Sequence, residues 1–593
     1  MQLQPSTTTT LSPKFISRRI RLWYVLLVLI GVVFLMRLFY LQVLRHTYYE
    51  QAALAGQLKE YEIEPTRGII EAHDGNQRLP IVLNEIRYTL FADPKFIKDS
   101  YSAANSIQRV IGGKATDYEQ KMKADSRYAV LAKKLSKDQK TKLDSLHIKG
   151  IGTRETPQRT YPQGSLAAQL LGFVNDEGQG KYGVEQYLDA KLKGTPGQLK
   201  AITDAQGVPL LADQDNVIKP AQNGQAVVLT IDVSMQRQIE DILKAGLDAA
   251  KSKSGSVVII DPNNGAVKAM ANYPTYNPAE FYKVEDASVF NNAVVSAPLE
   301  VGSVMKTLTA TAALDQGVAT TNSSYYDPSQ FTIDGYKITN IEEDGGPGIH
   351  TLADILQLSL NTGAVWLLMQ MGGGQINARA RNVWHDYMVN HFGLGKQTGI
   401  EQGYEAAGSI PDPNKGYALN LQFANTAFGQ GMSATPLQMA AALSGALNGG
   451  TYYRPRLVDA LIDKNGKQIV EQPAVTHRQV VKAETSKTIQ SLMENVIQKN
   501  HLFYGLPQLP VGYSIGGKTG TAEITKPGGG YYEDRFNGTF VGFVGGDKPQ
   551  YVIVVLVNEP HINGYAGAKA AAPIFSNLAM MLINNFGVTP KSN

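Results

Sequence analysis

The chain has 593 residues, 43% of them hydrophobic and 18% charged, with 56 Lys and Arg against 52 Asp and Glu, a formal net charge of +4 and no cysteine. That length implies two or three domains, and the small charge, with no basic stripe carrying interleaved aromatics, argues against a nucleic-acid partner. The lack of cysteine excludes disulfides, thiolate catalysis and cysteine metal sites.

Residues 1–13 are rich in Ser, Thr and Pro and read as disordered. Lys14, Arg18, Arg19 and Arg21 then precede an apolar run over 22–36, which Arg37 interrupts and 38–44 continues. About 20 apolar residues cross a bilayer core, so 22–44 is predicted to be a single transmembrane anchor with Arg37 snorkelling to the far interface. The cations in front of it place residues 1–21 in the cytoplasm and everything after it outside, at the cytoplasmic (inner) membrane. The rival reading is a signal peptide cut at Ala53-Leu54-Ala55. Its cleavage box lies too far from an apolar core that is itself too long.

Residues 45–220 alternate short apolar runs with turn signals and show no internal repeat. Asp74-Gly75 predicts a hairpin, and Tyr88 to Pro94 a strand stopped by proline. Residues 99–147, polar and lysine-rich, are expected to be helical with a solvated face. Glu185 is read as half of a structural ion pair, the commoner use of such a charge. The region carries neither paired carboxylates nor metal spacing and is taken as a non-catalytic pedestal.

From Asn223-Gly224 the pattern changes. A strand is predicted over 226–231, an amphipathic helix over 234–250, and strands 256–261 and 266–270 around Pro262-Asn263-Asn264-Gly265. That turn is a hairpin signal more than a calcium loop. Residues 303–445 read as mainly helical, with a capping box at Thr435-Pro436-Leu437-Gln438. Strands return over 514–522, 537–544 and 551–557, and a helix over 566–584 closes the chain. Strands at both ends with helices between predict an α+β body whose sheet joins the first and last segments.

Within this body, Glu300-Val301-Gly302-Ser303-Val304-Met305-Lys306 reads as a turn feeding a helix. Residues three apart on a helix share a face, so Lys306 can reach the Ser303 hydroxyl and take its proton if held neutral. The positive end of the helix dipole disfavours a second cation there and favours an oxyanion. Four residues alone are weak, since Ser-x-x-Lys also arises by chance. Ser359-Leu360-Asn361 in a turn, and Lys518-Thr519-Gly520-Thr521 on a strand, are each unremarkable singly. Together, in this order and 56 and 159 residues apart, they form a set.

That set resembles the serine acyl-transferase motifs of penicillin-binding proteins and serine β-lactamases. Further matches are Arg67-Gly68-Ile69-Ile70, Tyr161-Pro162, Gly183-Val184-Glu185, the run 269–274, Gly429-Gln430-Gly431 and the run 536–543. Over nearly its whole length the chain is similar to a class B penicillin-binding protein, a monofunctional peptidoglycan D,D-transpeptidase. It departs from the family at Val301, where proline is usual and whose loss would loosen the turn, and at Asn292, where an arginine and its ion pair are common. Segment 374–391 looks longer than usual. His385, Asp386 and His391 there suggest a metal less than an exposed helical insert.

The resemblance implies an α+β fold: a cytoplasmic tail (1–21), anchor (22–44), elongated β-rich pedestal of the dimerisation type (45–220), transpeptidase domain (221–586) and disordered tail (587–593). The transpeptidase domain would have an antiparallel sheet flanked by helices and an all-helical subdomain. It implies Ser303 as nucleophile, Lys306 as base, Ser359 as proton relay and Asn361 holding the substrate amide and orienting Lys306. Lys518 would keep Lys306 neutral and, with Thr519, Gly520 and Thr521, grip a terminal carboxylate. The backbone N–H groups of Ser303 and Thr521 would form the oxyanion hole. No cofactor or metal is implied. The implied partners are peptidoglycan stem peptides, β-lactams, the membrane, a polytopic lipid II polymerase of the SEDS type and other divisome proteins. Chain length and Gly172-Phe173-Val174-Asn175 favour the division branch over the elongation branch. A β-lactamase or carboxypeptidase, a non-enzymatic β-lactam sensor and a division scaffold are the alternatives.

Overall fold

The computed structural model describes residues 13–49, 58–202, 217–341, 346–507, 510–526 and 528–592. The Ser/Thr-rich start and the Ala53-Leu54-Ala55 box fall outside them. The chain divides into two compact units. The first, Met1–Pro65 with Thr195–Gln222, contains helix α1 (Pro13–Phe39), continued by a π turn at Tyr40–Leu44. Arg18–Leu44 is long and apolar enough to cross a membrane. Arg37 and Arg45 both lie over the Tyr40 ring, at 5.5 and 5.8 Å, an arginine–tyrosine grouping suited to a bilayer interface. In the same unit Leu58–Ile63 pairs with Gly197–Ile202, which pairs with Val217–Lys219.

The second unit, Thr66–Gly194 with Asn223–Asn593, holds the rest. Strands β1 (Ile70–Asp74) and β2 (Gln77–Ala92) form the hairpin that Asp74-Gly75 predicts, with Gly75 at φ +59°. Residues 99–147 differ from the expected solvated helices. The helices Ser100–Ile111, Ala115–Met122 and Lys137–Asp144 enclose a strand, Ala129–Leu135, and Ala104, Ile107, Leu131 and Leu143 build a small separate core with Leu90. Glu185, fully buried, accepts from Arg67 Nη2 at 2.5 Å and Arg159 Nε at 2.7 Å, while Arg67 Nη1 reaches Asp189 at 2.8 Å. The expected ion pair is thus a two-arginine clamp.

Strand β3 (Ala226–Asp232) pairs in parallel with β1 and antiparallel with Val458–Ile462, so one seven-stranded sheet runs across residue 220. Helix α2 (Val233–Ala249) follows, capped by Asp232. Strands β4 (Ser254–Ile260) and β5 (Val267–Tyr273) form the predicted hairpin around Gly265 at φ +73°.

Helix α3 (Met305–Asp315), α4 (Asn361–Met371) and α5 (Ala378–Asp386) belong to the helical middle. That middle also contains two short ribbons, one of Ser324–Asp327 with Gly348–Thr351 and one of Gln330–Ile333 with Tyr336–Thr339, where helix was expected. The 374–391 segment is not an exposed insert. Ala380, Trp384 and Met388 are fully buried, and Trp384 Nε1 donates to Thr309 Oγ1 on α3 at 3.1 Å. His391 stacks on Tyr387 at 4.3 Å, with Nδ1 2.6 Å from the Val480 carbonyl.

Strands β6 (Ser514–Thr525), β7 (Tyr531–Gly545) and β8 (Pro549–Asn558) complete an antiparallel sheet of order β5-β4-β8-β7-β6, and α6 (Ala572–Asn585) ends the fold. Alternation divides each strand between two cores. Phe540 and Val544 face α2 and α6, while Val541 and Phe543 face the central helices. Beyond α6, Val588 is buried, Thr589 N donates to Gln550 and Ser592 N to Asp547, so residues 588–592 are packed and hydrogen-bonded where a disordered tail was expected.

Candidate active site

Ser303 sits in a 3-10 turn, Gly302–Val304, that leads into α3. The turn is fixed from three sides. Gly302, at φ +64°, donates its N–H to Gly429 O at 3.1 Å, and a Cβ on Gly302 would lie 2.8 Å from Thr521 O. Val301 is buried and its carbonyl accepts from Thr539 Oγ1 at 3.0 Å, so the turn is held by β7 and is not loosened by the missing proline. Gly429 (φ +90°) has no room for a side chain, since a Cβ would stand 2.1 Å from Gly302 O. For the nucleophile role that the resemblance implies for Ser303, Gly429→Ala is expected to lower its acylation at least tenfold by displacing this turn, read as the second-order rate of fluorescent-penicillin labelling.

One turn into α3, Lys306 Nζ lies 2.9 Å from Ser303 Oγ. It also donates to the Ser359 carbonyl and reaches Ser359 Oγ at 3.2 Å. Ser359 can present both atoms because it is left-handed, at φ +61°, a conformation costing a non-glycine residue about 1 kcal/mol or more. From the opposite side Lys518 Nζ donates to the same Ser359 hydroxyl at 2.9 Å and to Thr519 O at 3.0 Å. Both lysines are essentially inaccessible to solvent. Two ammonium ions so close and so dry would repel, which favours a neutral form of one of them. A neutral amine at that distance could accept the hydroxyl proton, which is what a serine nucleophile requires.

Ser303, Asn361 and Thr521 open onto a cleft of about 920 Å³, whereas Thr519 and Gly520 are not among its lining residues. Asn361 begins α4 and its Nδ2 donates to Thr339 O at 3.0 Å. Thr521 Oγ1 accepts from Gly567 N at 3.1 Å, and Gly520 passes beneath Gly567, where any side chain would collide. The opposite wall, Tyr336 to Ile341, comes from the unexpected ribbon. Asp334-Gly335 between alternating residues was the available hairpin signal for it. Glu523, Asp534 and Gln430 also line the cleft and were not foreseen.

Behind the Ser303 turn, the Glu300 carboxylate accepts from Gly431 N and Tyr531 Oη, both at 3.0 Å. Burial pushes the Glu300 carboxyl up, opposed by those two bonds, and burial beside Glu300 pushes the Tyr531 phenol up. A carboxyl whose folded value exceeds its unfolded one binds its proton more tightly when folded. Its contribution to stability is therefore present at acid pH and lost as pH rises through the folded value. Urea denaturation of the wild type and Glu300→Gln should accordingly show the wild type losing ground to the variant from pH 4 to 7.

Asn292 donates to Gln402 Oε1 at 3.1 Å and accepts from Asn272 at 2.9 Å, so a buried neutral cluster occupies the place of the ion pair. Gln402 also donates to Leu170 O at 3.0 Å, joining the pedestal to the catalytic body.

Comparison with known proteins accords with this geometry. Residues 255–580 match the penicillin binding protein transpeptidase domain and 62–229 the penicillin-binding protein dimerisation domain. Stage V sporulation protein D of Bacillus subtilis is 31% identical over 97% of this chain and 87% of its own length. Peptidoglycan D,D-transpeptidase FtsI of Escherichia coli is 26% identical over 95% and 91%. Penicillin binding protein 3 of Mycobacterium tuberculosis, solved with aztreonam, has a TM-score of 0.66 at 25% identity, covering 89% of this chain and 98% of that one. Penicillin Binding Protein 2X of Streptococcus thermophilus, at 20% identity and a TM-score of 0.72 over 89% and 81%, shares the fold. With an apolar N-terminal helix, a dimerisation-type pedestal and a transpeptidase domain, the chain belongs to the class B penicillin-binding proteins.

Proposed function

We propose that this protein is a peptidoglycan D,D-transpeptidase that cross-links stem peptides through an acyl-enzyme on Ser303, at the division septum. The observation that carries the reading is the convergence of Lys306 on Ser303 Oγ, and of Lys306 and Lys518 on Ser359 Oγ. Ser303 Oγ attacks the carbonyl between two D-alanines while neutral Lys306 takes its proton. The oxyanion lies at the backbone N–H groups of Ser303 and Thr521, an arrangement worth a few kcal/mol, roughly 3, to the transition state. Ser359 relays the proton to the departing amine, and D-alanine leaves. Asn361 holds the substrate amide, and Lys518 with Thr519, Gly520 and Thr521 holds the terminal carboxylate. An amine from a neighbouring strand then takes the acyl group and restores the serine.

β-Lactams present the same amide in a strained ring and stop at the acyl-enzyme. The helix α1 anchors the protein in the cytoplasmic membrane with the catalytic body outside. Glycan polymerisation comes from a polytopic lipid II polymerase of the SEDS type within a division complex. Mass spectrometry of the full-length protein in detergent after penicillin treatment tests the reading. A single adduct on the Ser303 peptide, persisting for many minutes and absent in Ser303→Ala, is expected. Labelling elsewhere, or rapid loss of the adduct by hydrolysis, would overturn it.

A further inference from the structure

Asp327 is fully buried, 24 residues beyond Ser303 in sequence, and nothing above gives it a task. Its Oδ1 accepts from Ser329 N at 2.8 Å. Its Oδ2 accepts from Asn340 Nδ2 at 2.7 Å, Thr362 Oγ1 at 2.8 Å and Tyr325 Oη at 3.1 Å. Four hydrogen-bond donors thus converge on the one carboxylate. Such a carboxylate holds its donors tightly, because each bond is charge-assisted and sheltered from water.

Two of those donors sit beside the cleft. Thr362 follows Asn361, and Asn340 follows Thr339. They are tied to each other as well, Thr362 N donating to Asn340 Oδ1 at 3.0 Å and Asn340 Nδ2 to Thr362 Oγ1 at 2.9 Å. Their neighbours close the loop, since Asn361 Nδ2 donates to Thr339 O at 3.0 Å. One carboxylate thereby pins the start of α4, just after the strained Ser359, to the strand that forms the far wall of the cleft.

We infer that Asp327 is a positioning residue for acyl transfer: through Thr362 and Asn340 it sets Asn361 and the cleft wall against Ser303. The inference rests on the transpeptidase reading for its rate consequence, and on geometry alone for its structural one. An asparagine at 327 must turn its amide either toward the three donors or toward Ser329 N–H. Either choice opposes donor to donor.

Fluorescent-penicillin acylation of the full-length protein in detergent, resolved into binding (Kd) and acylation (k2), tests it, alongside thermal melting and hydrogen exchange. Asp315→Asn is the control. Asp315 is another buried carboxylate, accepting from Tyr387 Oη, Lys482 N and Thr485 Oγ1 at 2.6 to 2.9 Å, at the far end of α3. Loss of stability alone reduces the folded fraction and leaves k2 of folded molecules unchanged. Asp327→Asn should lower k2 about tenfold or more and expose amides over 336–341 and 359–364 to exchange. Asp315→Asn should melt earlier with k2 unchanged. Thr362→Val, which removes one bond only, should shift k2 the same way by a smaller factor and serves if Asp327→Asn does not fold. Wild-type k2 in Asp327→Asn, or an equal fall in Asp315→Asn, would overturn the inference. Should the wild type form no adduct, the enzymatic reading fails by itself, and retained protection over 336–341 in Asp327→Asn would still overturn the positional claim.

Discussion

Lys306→Met is expected to slow acylation of Ser303 by roughly a thousandfold or more while leaving the protein folded. Methionine matches the length of the lysine stem and enters a site already closed to solvent. It removes the amine that lies 2.9 Å from Ser303 Oγ, and with it the proposed proton acceptor. The change spares the burial of two amines beside one hydroxyl but leaves the Ser359 carbonyl without this donor, a loss of about 1–3 kcal/mol. The two readouts should therefore move apart, with labelling by fluorescent penicillin collapsing and the melting temperature falling only by a few degrees. A variant equally inactive and strongly destabilised would mean that the amine is structural. Lys306→Arg separates charge from basicity, because a guanidinium stays protonated and should not rescue the rate.

Glu185→Ala should cost about 3–5 kcal/mol of stability, far more than removal of an exposed pair such as Lys244–Asp248. Its carboxylate faces two guanidiniums, Arg67 and Arg159, and is itself fully buried. Deleting it leaves two cations in a dry interior, with Asp189 answering only Arg67. Asn84 adds to the penalty, since it accepts from Arg159 Nη1 at 2.9 Å and donates to the Arg67 carbonyl, so a shift at either arginine spreads to β2. Urea denaturation of the full-length protein in detergent measures this directly. A loss under 1 kcal/mol would show that water reaches the arginines and replaces the missing carboxylate.

The grouping of Lys306, Ser359 and Lys518 around Ser303 was legible because each lies in a short motif with a recognisable neighbour, and because the proposed acyl transfer limits which side chains can serve. The sheet was legible from composition and length, since 551–557 is a short unbroken run of β-branched and apolar residues and 537–544 mixes Phe and Val with small residues between turn signals. Asp327, Asn340 and Thr362 were not legible. Each is a short polar residue of the kind that decorates turns, and their association joins positions 13 and 35 apart with no pattern to announce it. The 374–391 segment failed differently. Ala380, Trp384 and Met388 recur every fourth residue and form a helical stripe, yet Arg379 before them and Arg381, Asn382 and His385 between them gave the stretch a polar look. In residues 99–147 charged lysines similarly masked Ala104, Ile107, Leu131 and Leu143. Asn292 shows the limit of analogy, for the missing arginine is replaced by an amide cluster that no single position foretells.

Because β1 and Val458–Ile462 flank β3 on either side, the pedestal and the catalytic body share one continuous run of backbone hydrogen bonds. A force drawn through β1 would load its bonds to β3, the strand that precedes α2. Protease cleavage near residue 220 would for the same reason release no free catalytic fragment. Stripping β1 away would bare a sticky edge on β3, and the liberated piece would seek another strand to cover it.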